Sequence, residues 1–146
     1  MSGEFLGTFE NAVNKQRIII PAELRKKFSA ASKQTIIATI GPYDNIAIYP
    51  LDNWSALRER LRNGSEDDRE LLSDLRDSAT PEQKLESPYR IRLSDELLEI
   101  AGIDSKVILK GDGDYISVWS PEAYRRVRLQ RLEARKSRYK SSDYQI

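Results

Sequence analysis

Short β-branched apolar runs, each bounded by polar or Gly/Pro turns, recur along this chain, and one combination of them occurs twice. In the first instance, Asn14-Lys15-Gln16-Arg17-Ile18-Ile19-Ile20-Pro21-Ala22-Glu23-Leu24, a polar basic turn leads into an apolar strand and then a helix start. A shift of 73 positions lays Arg17, Ile18, Ile20, Glu23 and Leu24 on Arg90, Ile91, Leu93, Glu96 and Leu97. The segment is therefore a structural unit that the chain uses twice.

In the first copy, Phe5 to Glu10 reads as a short strand, Asn11 to Gln16 as a polar turn and Ile18 to Ile20 as a second strand. Pro21 ends that strand and suits the first turn of a helix, where its missing N–H is harmless. Leu24 and Phe28 give Ala22 to Phe28 an apolar stripe, with Arg25, Lys26 and Lys27 at its C-terminal end. Gln34 to Ile40 and Asn45 to Tyr49 flank the turn Gly41-Pro42-Tyr43-Asp44 as a hairpin. Asp52 is expected to cap a helix with Trp54, Leu57 and Leu61 on one face, stopped by Asn63-Gly64. Ser65 and Asp68 have capping-box spacing and open a helix carrying Leu71, Leu72 and Leu75.

In the second copy, Tyr89 to Leu93 reads as a strand, Ser94 as the cap of a helix over Asp95 to Ala101, and Gly102 as its stop. Val107 to Lys110 and Tyr115 to Trp119 flank Gly111-Asp112-Gly113-Asp114 as a second hairpin. Here the shift is 70, laying Gly41, Tyr49 and Trp54 on Gly111, Trp119 and Tyr124. Ser120-Pro121-Glu122 opens a helix whose Arg125, Arg128, Arg131, Arg135 and Arg138 lie along one face. Ser141 to Ile146 is expected to fray. The expected divisions are 5–51 for the first unit, 52–84 for a helical linker, 85–121 for the second unit and 122–146 for a basic helix and tail.

Composition narrows the function. With no Cys and no His among 146 residues, disulfides, thiolate metal sites and imidazole bases are excluded, which lowers the prospect of an enzyme. The net charge of +1 says nothing about nucleic acid, so only the placement of charge bears on that question. No basic leader with an apolar core precedes the first strand, and no apolar run reaches membrane-spanning length, so an unexported soluble protein is expected. Units this small bury little of their own surface, and oligomerisation is the expectation.

This order of strand, Lys-x-Arg turn, strand ending in Pro, short helix, hairpin and aromatic-bearing helix resembles the MraZ family of bacterial transcriptional regulators. Its most telling pieces are Asn14 to Pro21, Ile48-Tyr49-Pro50-Leu51-Asp52-Asn53-Trp54, Ile100-Ala101-Gly102-Ile103 and Ile116-Ser117-Val118-Trp119-Ser120, and the likeness runs from about Phe5 to Arg126. The resemblance implies an α+β, mainly β fold of two tandem AbrB-like swapped-hairpin barrel units, chains assembled into a ring, and repression at the division and cell wall cluster promoter through repeated G-rich sites. It also implies a cytoplasmic, nucleoid-associated protein. Each repeat of that family carries Asp-x-x-x-Arg with Gly before the Arg. This chain departs twice, with Val13 and Gln16 before Arg17, and Glu86 and Tyr89 before Arg90. Val13 offers no carboxylate to orient an arginine, and neither Gln16 nor Tyr89 enters the left-handed region as easily as Gly.

Three residues are the DNA-binding candidates: Arg17, whose fork matches guanine O6 and N7; Lys15, a compact charge suited to phosphate; and Arg90 in second place. From the residues alone, a solvated strand end is the better account of them. The resemblance reverses that order for Arg17 and narrows it for Arg90. Arg92 alternates with Ile91 and Leu93 and reads as the outer face of a strand. Lys26 and Lys27 suit either a basic surface or a helix C-terminus. The Arg125 to Lys140 stretch suits phosphates or acidic neighbours, with an exposed helix face the plainer account. Asp112 and Asp114 fit a hairpin turn better than a calcium loop. Glu66, Asp67, Asp68 and Glu70 fit a helix N-terminus. No catalytic residue, metal, cofactor or small-molecule ligand is assigned; double-stranded DNA and further copies of the chain are the expected partners. The alternative is a ring or scaffold protein of the same fold whose altered loops have lost specific DNA recognition.

Overall fold

The computed structural model describes residues 1–141, so the expected fraying of Ser141 to Ile146 falls almost entirely outside the described residues. The architecture is α+β with antiparallel strands and short helices, as expected for tandem AbrB-like units. In chain order the elements are β1 (Thr8–Ala12), β2 (Arg17–Ile19), α1 (Ala22–Arg25), β3 (Thr35–Ile40), β4 (Ile46–Pro50), α2 (Leu51–Arg62), α3 (Glu66–Ser78), β5 (Gln83–Lys84), β6 (Arg90–Arg92), α4 (Asp95–Ile100), β7 (Lys106–Gly111), β8 (Ile116–Trp119) and α5 (Pro121–Ser141).

The two copies are interlaced by strand exchange. One sheet has the order β1-β7-β8-β4-β3-β5, and a second holds only β2 and β6. The leading strand of each copy thus pairs with the hairpin of the other: β1 with β7, and β5 with β3. Two equivalent pairs mark a pseudo-twofold axis. Ile18 faces Ile91 in the small ribbon, and Ala47 faces Ser117 where the two hairpins meet. Both copies send the same positions into one core, including Ile18 with Ile91, Ile20 with Leu93, Leu24 with Leu97 and Ile46 with Ile116, all fully or nearly fully buried. Sharing a core is the physical remedy for units too small to build one each.

Two smaller apolar clusters lie outside it. Trp54 and Leu61 of α2 meet Leu72 and Leu75 of α3 over Ile37, while Val127 of α5 meets Ile108 and Trp119.

Local expectations hold in kind and differ at the ends. Helix α1 stops at Arg25 rather than Phe28, because the following N–H groups of Lys27 and Phe28 bond three residues back to Leu24 and Arg25. Phe28 is buried all the same, edge-on to Phe5 at 5.6 Å. Asp52 lies inside the first turn of α2 instead of capping it. Its carboxylate accepts from the Ser2 N–H at 2.6 Å, from the Ser2 hydroxyl and from the Ser29 hydroxyl at 2.7 Å, tying the N-terminal strap to the core. The Ser65–Asp68 capping box forms, and Ser94 accepts from the Leu97 N–H. Gly111, expected in a turn, closes β7 against that strap: a Cβ there would stand 2.4 Å from the backbone of Phe5 and Leu6. Of the leucines of α3, Leu72 and Leu75 are buried and Leu71 is 47% exposed.

Candidate nucleic-acid interface

The β2–β6 ribbon is built so that apolar and cationic side chains take opposite faces. Ile18 and Ile91 point inward and are buried, and period-two alternation sends Arg17, Ile19, Arg90 and Arg92 outward. In register, Arg17 faces Arg92 and Ile19 faces Arg90. The pairing thus gathers three guanidinium groups on one small surface. Like charges set opposite each other across an antiparallel pair are destabilising on their own, so the arrangement depends on the groups around it.

Arg17 is the better held. Its Nε donates to Oε1 of Glu86 at 3.1 Å, and its Nη1 lies 3.4 Å from the Lys15 carbonyl oxygen. The side chain keeps 33% exposure, which leaves donors facing solvent. Glu86 belongs to the second copy, so the acid that orients this arginine comes from across the pseudo-twofold axis. The Val13 position is thereby answered by an acid 69 residues from Arg17, a link that sequence spacing within one copy does not reveal. Arg92 is steadied by Gln16, whose Oε1 accepts from Nη2 at 2.9 Å, while Gln16 Nε2 donates to Asp95.

Arg90 is held less completely. Its Nη2 donates to the Ser87 carbonyl at 3.2 Å, and its Nε is buried without a hydrogen-bond partner among the described residues. The repeat explains the difference. The position corresponding to Glu86 is Val13, which packs against the core and carries no acceptor.

Both turns that lead into the ribbon use left-handed backbone without glycine. Asn14 and Arg17 exchange both backbone hydrogen bonds around Lys15 (φ 52°) and Gln16 (φ 65°), a two-residue turn of the twist that hairpins favour. Lys15 stands exposed at its tip. Glu86 and Arg90 bracket a turn one residue longer, with a cis Ser87–Pro88 peptide and Tyr89 at φ 73°. The Tyr89 ring is covered by the Arg25 guanidinium at 3.5 Å from its centroid. Gln16 and Tyr89 stand where the family signature has Gly, and both hold left-handed backbone, the region Gly enters most easily.

The structure brings Arg17, Lys15 and Arg90 together on the β2–β6 ribbon and its turn and adds Arg92, Glu86 and Gln16. For Arg92 the signal lay in its period-two spacing from Arg90. Glu86 was legible as the acid four residues before Arg90, but no local signal marked it as the partner of Arg17. Elsewhere, two of the acids weighed for chemistry have structural partners: Asp112 accepts from Lys110 at 2.6 Å and from Ser117 at 2.5 Å, and Asp68 completes the α3 cap. Among the described residues no group of three or more acids comes together to hold a metal, and no helix is long and apolar enough to cross a membrane.

Comparison with known proteins agrees with this architecture. A family model described as "MraZ protein, putative antitoxin-like" matches residues 5–75. Proteins named transcriptional regulator MraZ are similar over most of the chain. The one from Methylobacillus flagellatus is 30% identical over 125 residues, covering 84% of each chain. That of Thermomicrobium roseum is 31% identical, covering 81% of this chain and 82% of its own. That of Desulfitobacterium hafniense strain DCB-2 is 33% identical, covering 81% and 79%. With the interlaced tandem units and these relatives together, the chain belongs to the MraZ family of transcriptional regulators.

Proposed function

We propose that this chain is a sequence-specific DNA-binding repressor, cytoplasmic and nucleoid-associated, acting at the division and cell wall cluster promoter through G-rich repeats. The observation that carries the reading is the pairing of Arg17 with Arg92 on the outer face of a two-stranded ribbon, beside Arg90 and behind an exposed Lys15. A ribbon of two strands is narrow enough for the major groove of DNA, and an arginine fork there meets guanine O6 and N7 together. Glu86 fixes the Arg17 guanidinium before contact, which reduces the ordering cost of binding. Lys15 takes a phosphate and sets position. Assembly of several chains into a ring repeats the ribbon, and repeated contacts on repeated DNA elements gain from effective concentration.

A second reading rests on Arg90 and Val13. A copy whose arginine lacks its orienting acid fits a ring or scaffold protein that has lost base recognition.

Fluorescence anisotropy with two duplexes, one bearing tandem G-rich repeats from the upstream region and one scrambled, separates the two readings. The repressor reading expects a preference that persists at near-physiological salt and disappears in Arg17→Ala. Equal binding to both duplexes that vanishes with salt overturns it in favour of the scaffold.

A further inference from the structure

The turn between β7 and β8 lies against α2, the helix that follows the hairpin of the first copy, and a cavity of about 330 Å³ stands between them. That volume is at the lower end of the range that small-molecule sites occupy. The lining includes Tyr49, Asn53, Leu57 and Arg60 from β4 and α2, with Asp114 and Tyr115 from the turn. The Tyr49 and Tyr115 rings, 5.1 Å apart and inclined at 30°, give it an aromatic wall. Burial pushes the Tyr49 hydroxyl up to about 12; Tyr115 and Asp114 add to the shift and Arg60 opposes it, so the group stays protonated at neutral pH. A cation and an anion therefore act on one hydroxyl within one cavity.

Three polar groups there are left unanswered. Arg60 and Asp114 are exposed, and among the described residues no ion pair holds either, whereas Asp112, also in the lining, is already met by Lys110 at 2.6 Å. Asn53 is 2% exposed. Its Nδ2 donates to the Asp114 carbonyl oxygen at 2.9 Å, and its Oδ1 is buried with no donor among the described residues. A buried acceptor without a donor is costly, and one beside a cavity calls for a donor from outside the chain. The repeat supplies an internal comparison. A shift of 70 lays Leu57 on Val127, Asn53 on Ala123 and Arg60 on Gln130. The apolar position keeps its character, but the amide acceptor and the cation belong to one side alone, so the shared fold does not account for them.

We propose that this cavity binds a free α-amino acid with an aromatic or branched apolar side chain. Its ammonium donates to the Asp114 carboxylate and to Asn53 Oδ1, its carboxylate accepts from the Arg60 guanidinium, and its side chain packs on Tyr49, Tyr115 and Leu57. A purely anionic ligand satisfies Arg60 and is repelled by Asp114, and a purely cationic one meets the reverse; a zwitterion uses both charges. The amino acid touches both sides of the cavity only when the chain is folded, so it raises thermal stability. This site goes beyond the DNA reading and does not depend on it.

Isothermal titration calorimetry and thermal melts of the full chain test it with L-phenylalanine and L-leucine. Hydrocinnamate and phenethylamine, the counterparts of phenylalanine without the ammonium and without the carboxylate, serve as controls. Saturable binding of an amino acid in the millimolar range or below is expected, with a raised melting temperature. Each control is expected to bind at least about tenfold more weakly, because a charge-assisted hydrogen bond is lost. Two variants assign the ends. Asp114→Asn and Arg60→Gln alter exposed side chains and keep the wild-type circular dichroism and ligand-free melting temperature. In Asp114→Asn, L-phenylalanine binds no better than hydrocinnamate; in Arg60→Gln, it binds no better than phenethylamine. Absence of saturable binding for both amino acids overturns the proposal, as does equal binding of L-phenylalanine and its two counterparts, or variants that discriminate as the wild type does. The titrations contain no DNA, so a failure of the DNA reading is read separately.

Discussion

Glu86 Oε1 stands 3.1 Å from Arg17 Nε, joining the second copy of the repeat to the arginine of the first. Both side chains are more than a third exposed or close to it, so the pair adds less than about 1 kcal/mol to stability. Its value lies in the direction it gives the guanidinium. Arg17→Ala is expected to leave thermal unfolding nearly unchanged and to remove about 1 to 3 kcal/mol of discrimination between repeat and scrambled DNA. Glu86→Gln is expected to lose a smaller part of the same preference. Anisotropy at fixed salt measures both, and a Glu86→Gln protein with wild-type preference would mean that Arg17 needs no orienting acid.

Val13 corresponds by the repeat to Glu86, and Arg90 Nε is buried without an acceptor among the described residues. Val13→Glu is expected to supply that acceptor and to raise affinity for repeat DNA through Arg90, while lowering stability modestly because Val13 packs on the core. Titration of both duplexes beside a urea melt distinguishes the effects. A folded variant with unaltered or weaker repeat binding shows that Arg90 gains nothing from the acid.

Ile18 and Ile91 face each other on the pseudo-twofold axis, nearly or fully buried beneath the arginine ribbon. Ile91→Ala leaves a cavity in the core that both copies share, so the expected cost is about 2 to 5 kcal/mol of the whole chain's stability. Urea denaturation followed by tryptophan fluorescence should show one cooperative transition at lower midpoint. Two separated transitions would contradict a shared core.

Asp52 contributes a pH dependence. Burial pushes its carboxyl pKa up, but the Ser29 and Ser2 hydroxyls and the Ser2 N–H bond its charged form and hold it below the ordinary carboxylate value. A pKa depressed on folding contributes stability above the unfolded value, and this is lost as pH falls through the folded value. Asp52→Asn is therefore expected to be less stable than wild type at pH 7, with the gap narrowing below about pH 4. Thermal melts across that range measure it; a gap constant down to pH 2 would remove the carboxylate from the account.

Much of this was legible in the sequence because its determinants are local. The duplicated run around Arg17 and Arg90 announced the tandem units, the Ser65–Asp68 spacing announced a helix start, and alternation around Ile18 and Ile91 announced strands with one inward face. Helix ends were less legible: Asp52 has the chemistry of a cap, but its carboxylate goes to Ser2 and Ser29, and residues 50 and 23 positions away leave no mark on local pattern.

Tertiary structure alone decided how the copies combine. Nothing in the repeat says that β1 pairs with β7 or that Arg17 faces Arg92, because cross-copy pairing is settled by the burial of a common core. It also decided which acid serves which arginine. The sequence by itself determined the elements, the family and the cationic residues available; long-range strand exchange determined which of them meet, since apolar burial by two small units is satisfied jointly and never within one.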